Sequence, residues 1–215
     1  MNRDFSHLRK NYIQKKLLEK DLPRDPMLLF DSWFQEALNS EYLLEPNAVS
    51  LSTVDEDHSP GARVVLLKSF SDEGFVFYTN YKSKKAYAIE RNSKVCLSFF
   101  WPDTERQIII KGQAKKLRAE DSDIYFLKRP RESSIGAWAS QQSSIIPSRI
   151  YLEERYVYYE NRFRNHNFHR PPFWGGYVVK PHHIEFWQGR NSRLHDRICF
   201  TLIEKQQWKI ERLAP

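Results

Sequence analysis

The chain has 215 residues, enough to bury a sizeable core in one large domain or two small ones. Its 34 Lys and Arg outnumber 27 Asp and Glu for a formal net charge of +7, which suits an anionic partner: a nucleic acid, a phosphorylated small molecule or a membrane surface. It carries no C-x-x-C pair, G-x-G-x-x-G, P-loop or G-x-S-x-G elbow, so dithiol redox chemistry, a Rossmann dinucleotide site and serine hydrolysis are unsupported.

In chain order, residues 1–24 are charged and lack apolar periodicity, which predicts a mobile N-terminal arm with one helical turn. Asp25-Pro26 reads as an N-cap followed by proline at the first helical position. Behind it Met27, Phe30, Phe34, Ala37 and Leu38 form one helical stripe ending near Asn39. From Ala48 the pattern becomes that of three strands, split by the turn clusters DEDHSPG and SDEG. SKKAYAIERN reads as a short basic helix, and KVCLSFFWPD and RQIIIKGQAKKL as two strands joined tightly. AEDSDIYFLKR is a helix that must stop near Pro130, and SRIYLEERYVYYENRF a helix capped by Ser148. WGGYVVK, HIEFWQG, RICFTLIE and QWKIERL complete the chain as four short strands. Eight or nine short strands with tight turns and four or five helices predict an antiparallel barrel with helices around it. Residues 25–215 read as a single domain.

Several groups of residues invite chemistry. Arg193, His195 and Arg197, within FWQGRNSRLHDR, are spaced by two, so on a strand they share one face, which meets either water or an anion. Arg63 and Lys68 bracket Val64, Val65, Leu66 and Leu67; a central strand would bury the aliphatic residues and leave the cations at its rims. Lys84 and Lys85 open a helix, where the macrodipole disfavours cations unless an anion binds there too; a solvated basic turn is the plain alternative. Tyr125, Arg129 and Ser133 follow i, i+4, i+8 spacing. Pro130 ends that helix, so Ser133 falls in the next turn or caps IGAWASQ. Together the three make either a phosphate clamp or a solvated helix end. His166, His169, His182 and His183 read as solvated residues of Pro-rich loops without the carboxylate framing of a metal site, so no metal is expected. Cys96 and Cys199 read as buried free thiols. The cations are dispersed along the chain and form no single stripe, which argues against nucleic acid. With no N-terminal apolar run and no long apolar span, a cytoplasmic protein without membrane segments is the expectation.

Read together and in order, RVVLLK, FYTNYKSKKA, ERQIIIKG, YFLKRPRESSIGAWASQQSS, FWGG, IEFWQGRNSRLHDR and the C-terminal WKIERLAP closely resemble the pyridoxine/pyridoxamine 5′-phosphate oxidase family. The resemblance runs from HLRKNY at 7–12 to the last residue. It implies an α+β, mainly β fold, the FMN-binding split β-barrel with peripheral helices. It also implies a homodimer with the flavin in a cleft between subunits, a phosphorylated pyridine substrate and O2 as electron acceptor. The motifs assign the flavin to Arg63, Val64, Val65, Leu66, Leu67, Lys68, Tyr78, Thr79, Lys84, Lys85, Gln107, Gln142, Ser143, Trp187 and Arg197. They assign the substrate phosphate to Lys68, Tyr125, Arg129 and Ser133. Arg193 and His195 become the catalytic pair over the pyridine ring, with Arg9 and Tyr12 of the arm as a cover. The family often reads S-R-K-A where this chain has Ser83-Lys84-Lys85-Ala86. Lysine keeps the charge but loses the planar fork, which implies a weaker or differently arranged contact to the flavin phosphate.

Overall fold

Asp25 turns the chain into its first helix. Its carboxylate accepts from the Met27 backbone N–H at 2.9 Å, and Pro26 fills the first helical position, where no N–H is needed. The computed structural model describes residues 3–8, 11–164, 168–204 and 206–215. Its helices are α1 (Pro26–Leu38), α2 (Lys84–Arg91), α3 (Ala119–Leu127), α4 (Arg131–Ala139) and α5 (Arg149–Arg162). Its strands are β1 (Ala48–Val54), β2 (Pro60–Leu66), β3 (Ser69–Ser71), β4 (Gly74–Asn80), β5 (Lys94–Trp101), β6 (Arg106–Lys116), β7 (Trp174–Gln188), β8 (Asp196–Glu204) and β9 (Gln207–Leu213). The strand order is β2-β1-β5-β6-β7-β4-β3, with β8 on β7 and β9 on β8.

The chain sorts into two interleaved compact units. One holds residues 1–49, 97–111 and 181–215; the other holds residues 50–96 and 112–180. The first is built on aromatic packing. Phe30 of α1 meets Phe99 at 5.5 Å, Trp33 meets Phe186 edge-on at 5.2 Å, and Phe186 meets Phe200 at 5.6 Å. The buried face of α1 is Pro26, Leu29, Phe30, Trp33 and Ala37. The expected stripe was turned: Met27 and Phe34 are half-buried and Leu38 is exposed. This helix is apolar on more than one side, so periodicity alone admits two faces and packing chooses one. The N-terminal arm is tied to this unit from Tyr12 onward. Leu17 donates its N–H to Asp196 and accepts from Arg212, and a single 3-10 turn spans Glu19–Asp21.

In the second unit β4 pairs antiparallel with the start of β7, setting Phe77 opposite Tyr177 and Tyr78 opposite Gly176. Gly74 turns β3 into β4 at φ +126°, in a conformation that side-chain-bearing residues rarely adopt. Two of the expected strands, WGGYVVK and HIEFWQG, are one continuous strand. Trp174–Val179 pairs with β4 and His183–Gln188 with β8, and Pro181, lacking an N–H, falls between the two ladders. His182 and His183 consequently lie on a strand and not in a loop; His183 Nδ1 is 3.1 Å from Thr201 Oγ1. His166 lies outside the described residues, and among those residues no group of three metal-ligating side chains forms. Cys199 is buried as expected, whereas Cys96 is only half-buried. RVVLLK is not a central strand: β2 ends the strand order and Val64 is 68% exposed. Among the described residues no helix is long and apolar enough to cross a membrane.

Arg106 in β6 is 4% exposed at its side chain and lies 4.2 Å from the ring centre of Trp33. It donates to Glu36 at 2.9 Å and to Gln188 Oε1 at 2.9 Å. Despite partial burial, Lys15 and Arg106 hold the Glu36 carboxyl below its ordinary range. A depressed carboxyl contributes stability above its unfolded pKa and loses it as pH falls through the folded value. Glu36→Gln is therefore expected to cost about 1 kcal/mol at pH 7, discounted for the half-exposed carboxylate. The gap should close in acid; urea midpoints at pH 7 and near pH 3 check this, and an undiminished gap would assign the loss to packing.

Candidate functional site

The second unit contains a cleft of about 740 Å³. Arg63 to Leu66 of β2 and Lys68 beyond it form one wall; Tyr78, Thr79 and Asn80 of β4 and Lys85 of α2 form another. Tyr125 and Arg129 enter from the end of α3, Ser133 from the first turn of α4, and Gln142 from the loop that follows α4. The i, i+4, i+8 face does not exist as one helix. The chain breaks at Lys128, α4 begins again at Arg131, and Ser133 lies inside α4 and does not cap it. The break still delivers all three residues to one cleft.

Four cations line the cleft: Arg63, Lys68, Lys85 and Arg129. No carboxylate lines it, and none of the four is ion-paired among the described residues. Neutral oxygens hold three of them, Arg63, Lys85 and Arg129. Arg63 Nη1 donates to Thr53 Oγ1 at 2.7 Å and to the carbonyls of Gly61 and Leu51 at 3.1 and 3.3 Å. Lys85 Nζ donates to Gln142 Oε1 at 3.1 Å, Thr79 Oγ1 at 3.3 Å and Ser83 Oγ at 3.4 Å. Lys85 is only 9% exposed, and burial, with Arg63 nearby, pushes its ammonium down to about 8. Arg129 donates Nη2–H to the Ser133 carbonyl at 2.9 Å, while its buried Nε–H has no partner among the described residues.

Aromatic rings form the rest of the lining. Tyr78 stacks on Tyr125 at 3.9 Å and on Trp174 at 5.3 Å, with interplanar angles of 16° and 11°. Burial pushes the Tyr78 phenol up to about 12 and raises that of Tyr125, so both keep their protons at neutral pH. The cleft thus combines charge-assisted donors for anionic oxygens with flat apolar faces for a planar ring.

The first unit contains a separate hollow of about 580 Å³, lined by Tyr12, Arg190, Arg193 and His195 among others. Arg193 and His195 are not on a strand, so the expected shared face with Arg197 does not form. Asn191–Arg193 is a 3-10 turn, with Ser192 and Arg193 at φ +56° and +62°, and β8 begins at Asp196. Two successive non-glycine residues in the left-handed region store roughly 1–3 kcal/mol each. His195 packs 4.7 Å from Trp187, and Tyr12 meets both rings edge-on. His195 Nδ1 accepts the Arg190 backbone N–H at 3.1 Å, which leaves the ring proton on Nε2. Burial and Arg193 lower its pKa, favouring the neutral ring. Arg197, on β8, makes a bidentate pair with Glu185 at 2.7 and 3.1 Å and also donates to the Ala214 carbonyl.

Of the remaining residues expected at the site, Leu67 is buried and does not line the cleft, while Lys84 and Ser143 are exposed and lie off its lining. Gln107, Trp187 and Arg197 belong to the first unit. Arg9 lies outside the described residues. The cleft also uses Asn80, Gly136, Ser140 and Trp174, to which no role was assigned from sequence. All four lie inside the quoted motifs, Trp174 as the second residue of FWGG, but none was singled out there.

Residues 34–162 match the family model described as pyridoxamine 5′-phosphate oxidase. Residues 174–215 match the one described as the pyridoxine 5′-phosphate oxidase C-terminal dimerisation region. The pyridoxine/pyridoxamine 5′-phosphate oxidase of Christiangramia forsetii is 52% identical over 215 residues, covering 100% of both chains. That of Leptospira interrogans is 49% identical over the same span, again covering 100% of both. Among solved structures, PhzG from Burkholderia lata, in complex with tetrahydrophenazine-1-carboxylic acid, matches with a TM-score of 0.86 at 28% identity over 94% of this chain and 99% of that one. A pyridoxamine 5′-phosphate oxidase-related, FMN-binding protein from Nostoc punctiforme matches with a TM-score of 0.72 at 14% identity, covering 90% of this chain and 100% of that one, and bears on the fold alone. The fold is therefore the expected α+β, mainly β split barrel with peripheral helices, and the chain belongs to the pyridoxine/pyridoxamine 5′-phosphate oxidase family.

Proposed function

We propose that this chain is an FMN-dependent oxidase that converts pyridoxine 5′-phosphate and pyridoxamine 5′-phosphate to pyridoxal 5′-phosphate. It acts as a cytoplasmic homodimer with flavin sites at the subunit interface. O2 is the final electron acceptor and leaves as hydrogen peroxide, and the amine substrate also takes up water and releases ammonia. The observation that carries this reading is the cleft with four cations, no lining carboxylate and a stack of aromatic rings. Two phosphate dianions call for about four positive charges together with hydroxyl donors.

Arg63, Lys84 and Lys85 are assigned to the flavin phosphate. Val64 to Lys68, Tyr78, Thr79, Gln107, Gln142, Ser143, Trp187 and Arg197 are assigned to the rest of that cofactor. The cations, none of them ion-paired among the described residues, and the buried Arg129 Nε–H, without a hydrogen-bond partner among those residues, suit anionic ligands in the cleft. When bound, FMN supplies the two-electron acceptor for the hydride leaving the substrate 4′ carbon. Lys68, Arg129 and the hydroxyls of Tyr125 and Ser133 hold the substrate phosphate. Arg193 orients the pyridine ring, which turns an encounter into a near-attack arrangement. His195 offers Nε2 as the site of proton exchange, and Arg9 and Tyr12 cover the substrate. The likeness to PhzG supports a second reading, a related flavin oxidase acting on another ring system.

Anaerobic addition of pyridoxine 5′-phosphate to the FMN-loaded protein is expected to bleach the flavin, with colour and peroxide returning when air is admitted. Bound flavin that stays coloured would favour the second reading. Arg129→Ala is expected to raise KM for pyridoxine 5′-phosphate more than it lowers kcat, because a remote phosphate is held alike in ground and transition states. Steady-state kinetics checks this, and an unchanged KM would remove Arg129 from the clamp. Lys85 loses its charge as pH rises through about 8, so FMN affinity should fall between pH 7 and 9, by up to about tenfold per pH unit. Fluorescence titration should find Lys85→Gln weaker at pH 7 and flat over that interval; an equal slope in both proteins would place the titrating group elsewhere.

A further inference from the structure

We infer that Trp174 is a positioning residue for the substrate-phosphate clamp: its indole face fixes the Arg129 guanidinium without neutralising it. This inference rests on the reading of Arg129 as a phosphate ligand. Trp174 is 5% exposed, and Arg129 Cζ lies 4.4 Å from its ring centre. An aromatic face attracts a guanidinium and sets its plane. A carboxylate in the same place would set it equally well, but it would cancel the charge and repel the phosphate. The second restraint on Arg129, the Ser133 carbonyl, is also uncharged. The face and the edge of the guanidinium are thus both held, and its full charge is kept.

The same indole also aligns the last turn of α3. Tyr125, one helical turn before Arg129, lies nearly parallel to Trp174 at 6.2 Å, with Tyr78 stacked against both rings. Phe126 closes the edge of the indole at 5.2 Å. The two glycines after Trp174 admit this packing. A Cβ at Gly176 would lie 2.8 Å from Tyr78 Cε1, and one at Gly175 would collide with the Tyr81 hydroxyl. The W-G-G segment is therefore a unit in which the tryptophan supplies the face and the glycines let neighbouring rings approach the strand.

The test compares Trp174→Phe with Trp174→Leu in the FMN-loaded protein. Both open space in the core, but only phenylalanine keeps a π face. KM and kcat for pyridoxine 5′-phosphate, calorimetric Kd for pyridoxal 5′-phosphate and fluorimetric Kd for FMN are measured for each. Trp174→Phe should stay within about threefold of the parent in KM, while Trp174→Leu should raise KM and the pyridoxal 5′-phosphate Kd by about 5- to 30-fold, the range of a desolvated cation–π contact. Flavin affinity should move far less. In an Arg129→Ala background, Trp174→Leu should add less than about twofold, because the partner of the contact is already gone. Equal effects of phenylalanine and leucine, or full additivity with Arg129→Ala, would overturn the inference while leaving the clamp in place. An unchanged KM in Arg129→Ala alone would overturn the clamp, and this role with it.

Discussion

Like charges gathered in one place repel, and the cleft of the second unit depends on how that repulsion is borne. Arg63, Lys68, Lys85 and Arg129 line it without a carboxylate among them. Carbonyls, hydroxyls and an amide oxygen hold Arg63 and Lys85; a carbonyl and an indole face hold Arg129. Such neutral partners orient a cation while leaving its charge for a ligand. The depressed Lys85 ammonium is the visible cost of this arrangement, and an incoming phosphate would reverse it.

Elsewhere the same residue type is treated in the opposite way. Arg106, Arg197 and Arg212 each meet a carboxylate at 2.9 Å or less. Arg106 and Arg212 join segments distant in sequence, while Arg197 joins neighbouring strands. Arg106 couples α1 to β6, and Arg212 ties Leu17 and Glu19 to the last strand. These three arginines are neutralised and the arginines lining the cleft are not, a difference that burial does not account for: Arg106 and Arg129 both have guanidinium groups withdrawn from water.

Backbone strain marks the other predicted site. Ser192 and Arg193 adopt left-handed conformations that neither side chain favours, and the Arg190 N–H fixes the His195 tautomer. Regular strand geometry through residues 193–197 would have put the three basic side chains on one face. The turn instead sends Arg193 and His195 to the hollow with Tyr12, while Arg197 goes to Glu185.

Local patterns were enough to reveal most elements. The Asp25-Pro26 start, the glycine and serine turns, the alternating strands and the stop before Pro130 are near-neighbour effects, and each is readable where it occurs. So was part of the cleft's lining, because the ordered motifs carry Arg63, Lys68, Lys85, Tyr125, Arg129, Ser133 and Gln142. Three things depended on residues far apart in sequence. Pro181 reads as a strand break, yet β7 continues through it by changing partners. α1 offers two apolar faces, and only its packing against Phe99 and Phe186 selects one. Trp174 gains a role only when α3 lays Arg129 across its ring, a contact spanning 45 positions that no local spacing encodes. Sequence determined which side chains could bind anions; tertiary structure decided which of them would meet a carboxylate and which would keep their charge for a ligand.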